Sequence, residues 1–176
     1  MSLIEGILYA FGVLLFIFIV WKFWPTNRPD HFPMVFERSG GECGPASLAM
    51  VLKHFGYNVS LDALVELTNA HPYEGTSLRF LKDAAQQKGL RALPIRVPFE
   101  RKNKPSLMDV PLPCILHWQE HYFLVLYKIR GKKFYVAHPG SGKLVFKKED
   151  FKNNWLPKNR DEGIALVFEK RRNKFA

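Results

Sequence analysis

The spacing of apolar residues changes at Gly89, and that change constrains the fold more than any other feature. Before it, apolar residues recur every three or four positions, which predicts helices. After it, short runs rich in Val, Ile, Leu, Phe and Tyr predict strands. The predicted strands are residues 90–97, 113–118, 121–130, 133–138, 143–146 and 163–168. Helices followed by a mostly antiparallel sheet predict an α+β domain.

Residues that start and stop helices support three helices before Gly89 and a short one after it. Pro45 lies in the first turn of the first helix, Ser60 is the predicted N-cap of the second, and Thr76 is that of the third. The predicted helices cover residues 44–55, the stretch from the Ser60 cap to residue 67, the stretch from the Thr76 cap to Gly89, and residues 148–155.

An apolar segment stands near the start of the chain. Residues 6–21 carry no charge, and apolar neighbours extend the segment to about twenty residues, the length that crosses a hydrocarbon layer of ~30 Å. We expect residues 1–24 to form a single transmembrane helix. A cleaved signal peptide is a poorer explanation, because no Lys or Arg precedes the segment and no small-residue cleavage pattern follows it.

The charges around this segment predict its orientation. Glu5 is the only charged residue before it. Lys22, Arg28 and Arg38 follow it, so the positive-inside rule places the N-terminus outside and the rest of the chain in the cytoplasm. The predicted division of the chain is an anchor (1–24), a linker rich in proline and polar residues (25–33), a globular domain (34–170) and a basic tail (171–176).

The formal net charge of +10 favours anionic partners such as lipid headgroups, nucleic acid or acidic peptides. Nucleic-acid binding is disfavoured, because the sequence shows no aromatic and basic platform and no recognisable reading helix. The basic runs 101–104 and 170–174 are expected to face membrane lipid, given the predicted anchor. Two cysteines, Cys43 and Cys114, are too few for a disulfide framework and favour a reducing compartment.

Cys43 lies in the run GGECGP (40–45), at the start of the first predicted helix. The unpaired N–H groups and the positive dipole end of a helix favour a thiolate there and can hydrogen-bond an oxyanion. The glycines leave room for a peptide backbone, so Glu42 and Gly44 are expected to contact a substrate. The alternative, that Cys43 is a small buried core residue, is equally compatible with this position.

A histidine, His121, opens the most apolar predicted strand. From the edge of a sheet its side chain can point toward a helix start, as a catalytic base would, or it can be a surface histidine beside a turn. His117, in the preceding strand, is either a structural residue or a contact to substrate. The residues alone leave these alternatives open.

Four segments follow one another through the domain: ECGPASLAMVLKHFG (42–56), EGTSLRFLKDAAQQKGL (74–90), PCILHWQEHYFLVLYK (113–128) and FYVAHPGSGKLV (134–145). In this order and spacing they resemble the peptidase C39 family, whose members are leader peptidases of bacteriocin and peptide exporters that cut after a double-glycine motif. The resemblance covers about residues 32–168 and implies a papain-like fold that acts through a cysteine thiolate. It matches Cys43 to the nucleophile, and His121 to the histidine of a His-Phe-Val-Val-Leu-like strand, the base.

The chain departs from the family at two supporting positions. His138 stands where the family usually has the Asp that orients the histidine, and Glu37 where it has the Gln that donates to the oxyanion. A neutral imidazole accepts a hydrogen bond but carries no charge, and an ionised carboxylate repels an oxyanion. We therefore expect a membrane-anchored cysteine endopeptidase, slow or specialised, that cleaves a double-glycine leader from a secreted precursor. The alternative is a catalytically weakened adaptor that binds leaders and presents them to an exporter.

The resemblance also implies partners and a location. We expect an amphipathic helical leader as substrate, a separate ABC-type exporter as partner and membrane lipid around the anchor, at the bacterial cytoplasmic membrane. No cofactor and no metal are expected. The candidate metal ligands are Cys114, His117, His121 and His138, and their spacing in the sequence matches no zinc-binding motif.

Overall fold

The structure, a computed structural model, describes residues 31–101 and 105–170. From Phe32 onward they belong to one compact unit. Among the described residues, no helix is long and apolar enough to cross a membrane. The predicted membrane helix (1–24), most of the predicted linker and the predicted basic tail (171–176) lie outside the described residues, so they stay predictions.

Four α-helices are present in the described residues, close to where the sequence predicts them. They are α1 (Cys43–His54), α2 (Leu61–Leu67), α3 (Leu78–Gln87) and α4 (Lys148–Trp155). Ser60 caps α2 by accepting a hydrogen bond from a backbone N–H of its first turn. The predicted cap of α3 is wrong by one residue. Ser77 accepts from the Phe80 N–H at 3.2 Å, whereas the Thr76 hydroxyl donates to the Thr68 carbonyl.

Six strands of the described chain form one sheet in the order β1-β6-β2-β3-β4-β5, with each neighbouring pair antiparallel. The strands are β1 (Leu90–Pro98), β2 (Cys114–Trp118), β3 (Tyr122–Arg130), β4 (Lys133–His138), β5 (Gly142–Lys147) and β6 (Glu162–Lys170). The predicted α+β class is therefore confirmed. The strand predicted over residues 121–130 begins one residue later, because residue 121 belongs to the turn that joins β2 to β3.

Each face of the sheet carries a buried layer. Alternate residues of a strand point to opposite faces, and β3 follows this rule. Phe123 and Val125 pack with the layer that contains α1, whereas Leu124 and Leu126 pack with the layer that contains α4. Helix α1 lies deepest, since every residue from its first to Leu52 is buried.

One buried hydrogen bond joins the start of α1 to the start of β3. The Ser47 hydroxyl donates to the Phe123 carbonyl at 3.2 Å. Phe123 is paired with His117 of β2, whereas the ladder between β3 and β4 begins only at Val125, paired with Ala137. This contact sets the first turn of α1 against the first residues of β3.

Replacing Ser47 with alanine should lower the free energy of unfolding by about 1–3 kcal/mol, because the buried Phe123 carbonyl loses its donor. Urea unfolding followed by fluorescence measures the change. Ser141→Ala, at an exposed residue of the β4–β5 turn, is the matched control and should stay within about 0.5 kcal/mol of the parent. Equal effects of the two substitutions would contradict the prediction.

Candidate active site

Cys43 is the first residue of α1, and its side chain is buried, with 7% of its surface exposed. Burial raises the pKa of the thiol, and the negative charge of Glu37 raises it further. Hydrogen bonds from backbone N–H groups, including those of Phe123 and Gly44, lower the pKa without reversing the shift. The structure therefore corrects the expectation that the helix start makes this sulfur a thiolate, because burial outweighs the helix N–H groups.

The residues on either side of the thiol are held by packing and by an ion pair. A β-carbon on Gly44 would overlap the Thr76 side chain, so packing requires the glycine. The Glu42 carboxylate accepts from the Arg38 guanidinium at 3.1 Å and from the Arg38 backbone N–H at 2.9 Å. Burial raises the pKa of Glu42, but these hydrogen bonds lower it overall. The contacts predicted between these residues and a substrate stay predictions.

Glu37, Tyr122 and His138 form a connected group of side chains near the thiol. The Tyr122 hydroxyl donates to Glu37 Oε1 at 2.6 Å. The Gly140 N–H is shared between Tyr122 Oη, at 3.1 Å, and His138 Nδ1, at 3.2 Å. The Tyr122 and His138 rings stack, with their centroids 4.5 Å apart. The two supporting residues predicted from the sequence, Glu37 and His138, therefore meet through Tyr122.

The electrostatics of this group come from burial and from Glu37. Burial, with the hydrogen bond to Glu37, raises the pKa of Tyr122, so the phenol is neutral at neutral pH. Burial lowers the pKa of His138 against the opposing effect of the Glu37 charge. Because His138 Nδ1 accepts from the Gly140 N–H, the neutral ring carries its proton on Nε2. The neutral side chains Tyr122 and His138 thus surround one carboxyl group, whose charge also acts on Cys43.

The predicted base, His121, lies in the turn between β2 and β3 and is exposed. Its Nδ1 lies 2.6 Å from the Gln119 carbonyl oxygen. Since a carbonyl only accepts, Nδ1 carries a proton, and in the neutral form of the ring the lone pair is on Nε2. In the described part of the chain, no hydrogen bond joins this ring to Cys43, Glu37 or His138. The role of His121 as the base stays a prediction.

Tyr122 is absent from the site predicted from the sequence, although the sequence carries a signal for it. Shifting the His-Phe-Val-Val-Leu pattern by one position puts Tyr122 at the histidine and keeps the Phe, the second Val and the Leu in register. Aligning the pattern on its histidine alone selects His121 and loses those three matches. The shifted alignment also fits the geometry, since Tyr122 is the residue that contacts the Glu37 carboxylate.

His117 lies in β2 opposite Phe123 of β3, with the two ring centroids 5.2 Å apart. Burial lowers the pKa of His117, which keeps its imidazole neutral at neutral pH. Cys114 is fully buried, and neither it nor Cys43 forms a disulfide. Over the described ranges, no three metal-binding side chains lie together. His117 packs within the sheet, and its contact with a substrate stays a prediction.

A profile of the peptidase C39 family matches residues 31–173. One curated relative is the lactococcin-G-processing and transport ATP-binding protein LagD of Lactococcus lactis, 28% identical over 126 residues. Another is the probable microcin-H47 secretion/processing ATP-binding protein MchF of Escherichia coli, 30% identical over 136 residues. The matches cover 69% and 76% of this chain but 17% and 18% of these relatives. The chain therefore spans less than a fifth of the length of these two relatives.

Two solved structures share the fold. A double glycine motif protease from an AMS/PCAT transporter, crystallised in complex with the leader peptide, superposes with a TM-score of 0.70 at 29% identity and covers 82% of this chain and 96% of that one. The peptidase domain of Streptococcus ComA, a bi-functional ABC transporter, superposes with a TM-score of 0.68 at 24% identity and covers 80% of this chain and 100% of that one. The papain-like fold expected for the globular domain is therefore confirmed.

We expect Glu37→Gln to speed the alkylation of Cys43 by iodoacetamide at about pH 7.5 by about two- to five-fold. Alkylation requires the thiolate, and removing the charge of Glu37 lowers the pKa of Cys43. Mass spectrometry of the peptide that contains Cys43 gives the rate. Glu66→Gln, at an exposed carboxylate on α2, is the matched control and should leave the rate unchanged. A slower reaction in Glu37→Gln than in the parent would refute this electrostatic account.

Proposed function

The chain belongs to the peptidase C39 family, and we propose that it binds the double-glycine leader of a secreted peptide precursor without cleaving it. In this proposal the domain presents leaders to a separate ABC-type exporter at the cytoplasmic face of a bacterial membrane. Residues 1–24 anchor it there, and lipid surrounds the anchor.

The fold, the similarity to proteins named for processing and the net positive charge support leader binding. The similar protease from an AMS/PCAT transporter was crystallised in complex with the leader peptide. The relatives from Lactococcus lactis and Escherichia coli are named for processing together with transport or secretion. The resemblance implies leaders that tend to be acidic, and a formal charge of +10 suits such a ligand.

The position of Tyr122 is the observation on which the lack of cleavage rests. A cysteine peptidase needs a base that takes the thiol proton and later returns it to the leaving amine. The group beside Glu37 and His138 is instead a phenol whose hydroxyl donates to Glu37 at 2.6 Å. Because burial raises its pKa, this phenol takes no proton from Cys43 at neutral pH.

The charge of Glu37 is a second feature, besides Tyr122, that opposes cleavage. Attack of a thiolate on a carbonyl creates an oxyanion, which peptidases stabilise with N–H donors. Helix α1 supplies N–H donors at Cys43 and Gly44. The Glu37 carboxylate, however, is close enough to raise the pKa of the thiol, and it repels negative charge on a neighbouring oxygen in the same way. The site can receive a peptide carbonyl and still disfavour the step that follows.

A slow leader peptidase is the second candidate function, and one observation favours it. His121 holds its Nδ1 proton against the Gln119 carbonyl oxygen at 2.6 Å. This arrangement leaves Nε2 free to act as a base, in the tautomer that triad catalysis uses. In this candidate Cys43 is the nucleophile, and Glu37 and His138 are the supporting residues. A movement of the β2–β3 turn would have to bring the His121 ring to the thiol.

The direct test mixes the purified chain, in mild detergent, with a panel of labelled peptides that each carry a helical leader and a double-glycine motif. We expect the wild type and Cys43→Ala to bind the same peptides with equal dissociation constants, measured by fluorescence anisotropy. We expect neither to cleave them, as judged by mass spectrometry, because the residue that contacts Glu37 near the thiol is the Tyr122 phenol, which is no base at neutral pH.

Cleavage after the glycines by the wild type, but not by Cys43→Ala, would overturn this proposal in favour of the peptidase. In that case His121→Ala should lower the rate by about 100-fold or more, the contribution of a general base. Tyr122→Phe is the matched control and should leave the rate of such a peptidase nearly unchanged.

Placing a base at position 122 should create cleavage. We expect the triple variant Glu37→Gln, Tyr122→His, His138→Asp to cut a bound leader about 100-fold or more faster than the background loss of peptide measured with the wild type, because a positioned general base contributes about 10²–10⁴ in rate. The matched control replaces Tyr122 with Phe alongside the same two changes and should stay inactive. A triple variant that folds and binds the leader yet stays inactive would show that Tyr122 is not what prevents cleavage.

A further inference from the structure

One face of β3, β4 and β5 carries exposed cations and no acidic residue. The chain has no Asp and no Glu between residues 121 and 148. Val125 and Ala137 place this face on the side of the sheet that packs against α1, and alternate residues along each strand share it. Its exposed cations, which we call the basic face, are Lys128, Arg130, Lys133, Lys143 and Lys147.

Three of these cations form a row across the strands. Arg130 of β3 is paired with Lys133 of β4, and Lys133 is paired with Lys147 of β5. Like charges directly opposite each other destabilise a sheet. Among the described residues, none of these three side chains forms an ion pair that would offset the repulsion. The row therefore opposes folding, and an anionic partner would account for it.

Protection of the sheet edge accounts for only part of the basic face. Lysine on an edge strand hinders pairing with another chain, and β5, with Lys143 and Lys147, is an edge strand. Strands β3 and β4, however, have a neighbour on each side. Edge protection therefore gives no reason for the cations Lys128, Arg130 and Lys133.

Aromatic rings connect the basic face to the point where the chain enters the compact unit. Phe32, the first residue of that unit, stacks on Tyr127 with the ring centroids 4.5 Å apart. The Tyr127 ring lies 6.4 Å from the ring of Tyr135. The Lys128 ammonium lies 5.0 Å from the centre of that second ring, and Tyr135 is paired with Lys128. The chain therefore enters the domain beside the basic face.

This entry point is remote from the thiol. The Phe32 ring lies 5.5 Å from the ring of His54, the last residue of α1, whereas Cys43 is its first residue. A helix over these residues is about 16 Å long. On β3, the row begins at Arg130, about 25 Å along the strand from Tyr122. The row of three cations is thus a separate surface from the candidate active site.

The position of the entry point limits the distance between the basic face and a membrane. The predicted anchor ends at residue 24, and Phe32 follows eight residues later. That length of chain spans at most about 29 Å when fully extended. The cytoplasmic leaflet has a negative surface potential, which attracts Lys and Arg side chains that lie close to it.

We infer that the basic face docks the domain on anionic lipid headgroups, with Arg130, Lys133 and Lys147 against the bilayer. This inference rests on the anchor of the proposed function and not on leader binding. Val145, which is 56% exposed between Lys143 and Lys147, supplies an apolar side chain at the lipid interface. Docked in this way, the domain keeps the candidate active site clear of the lipid.

The test places the purified full chain in nanodiscs of neutral phosphatidylcholine, alone or mixed with anionic phosphatidylglycerol. A fluorophore on Val145→Cys should be quenched by lipids with spin-labelled headgroups in the anionic nanodiscs and much less in the neutral ones. The neutral-face variant (Arg130→Gln, Lys133→Gln, Lys147→Gln) should lower the ratio of docked to free domain by about 100-fold, because each cation near an anionic leaflet contributes about five-fold.

Two matched controls accompany this measurement. The variant Arg79→Gln, Arg91→Gln, Arg96→Gln removes the same charge from exposed residues of α3 and β1 and should leave the quenching unchanged. A fluorophore on Leu93→Cys should escape quenching, because Ala92 packs with the α1 layer and Leu93 therefore points to the opposite face. The neutral-face variant should be at least as stable to urea as the wild type, since the repulsion in the row is removed.

Equal quenching in the two kinds of nanodisc, or quenching that the neutral-face variant retains, would overturn the inference. Leader binding should be the same in this variant and in the wild type. If lipid quenching is absent and the variant loses binding to a leader or to a single-stranded oligonucleotide, the basic face serves that ligand and the inference fails. A chain that does not enter neutral nanodiscs would refute the proposed anchor. Sedimentation of the wild type and the neutral-face variant with anionic vesicles would then decide the inference by itself.

Discussion

The first turn of α1 packs against the first residues of β3, and the arrangement of the site depends on that contact. Ser47 and the Phe123 carbonyl meet in the core, which sets Cys43 beside the start of the strand. Tyr122, the residue before Phe123, then lies beside the Glu37 carboxylate and donates a hydrogen bond to it. One buried hydrogen bond therefore links the position of the thiol to the positions of the side chains around it.

In the proposed function, the charges around Cys43 allow a peptide to bind and disfavour its cleavage. Backbone N–H groups at the start of α1 suit a peptide carbonyl, which is a neutral acceptor. Cationic neighbours and helix N–H groups favour a thiolate, whereas burial and the charge of Glu37 both favour the protonated thiol. Tyr122 adds a donor that is already bonded to that carboxylate. In the proposed function, a peptide therefore binds beside a sulfur that does not attack it.

The sequence predicts this fold well wherever the signal is local, and less well wherever a distant contact decides. The change of period at Gly89 is local, and the helices and strands on either side of it are present. Thr76 and Ser77 have similar capping propensity, but the Thr76 hydroxyl already donates a hydrogen bond to the Thr68 carbonyl at the end of α2. The choice between His121 and Tyr122 depends on strand register, because a shift of one residue moves a side chain to the other face. Burial of the thiol depends on the whole core, which no short pattern contains.

Strand β6 lies between β1 and β2 although it follows β5 along the chain. It pairs with β1 from one end to the other and also with β2, and in the described sheet β1 has no other neighbour. During synthesis on the ribosome, residues 90–98 must therefore wait for residues 162–170 before they can join the sheet. A nascent chain that stalls in this interval exposes the edges of β1 and β2 together, which makes it a target for chaperones and for quality-control proteolysis.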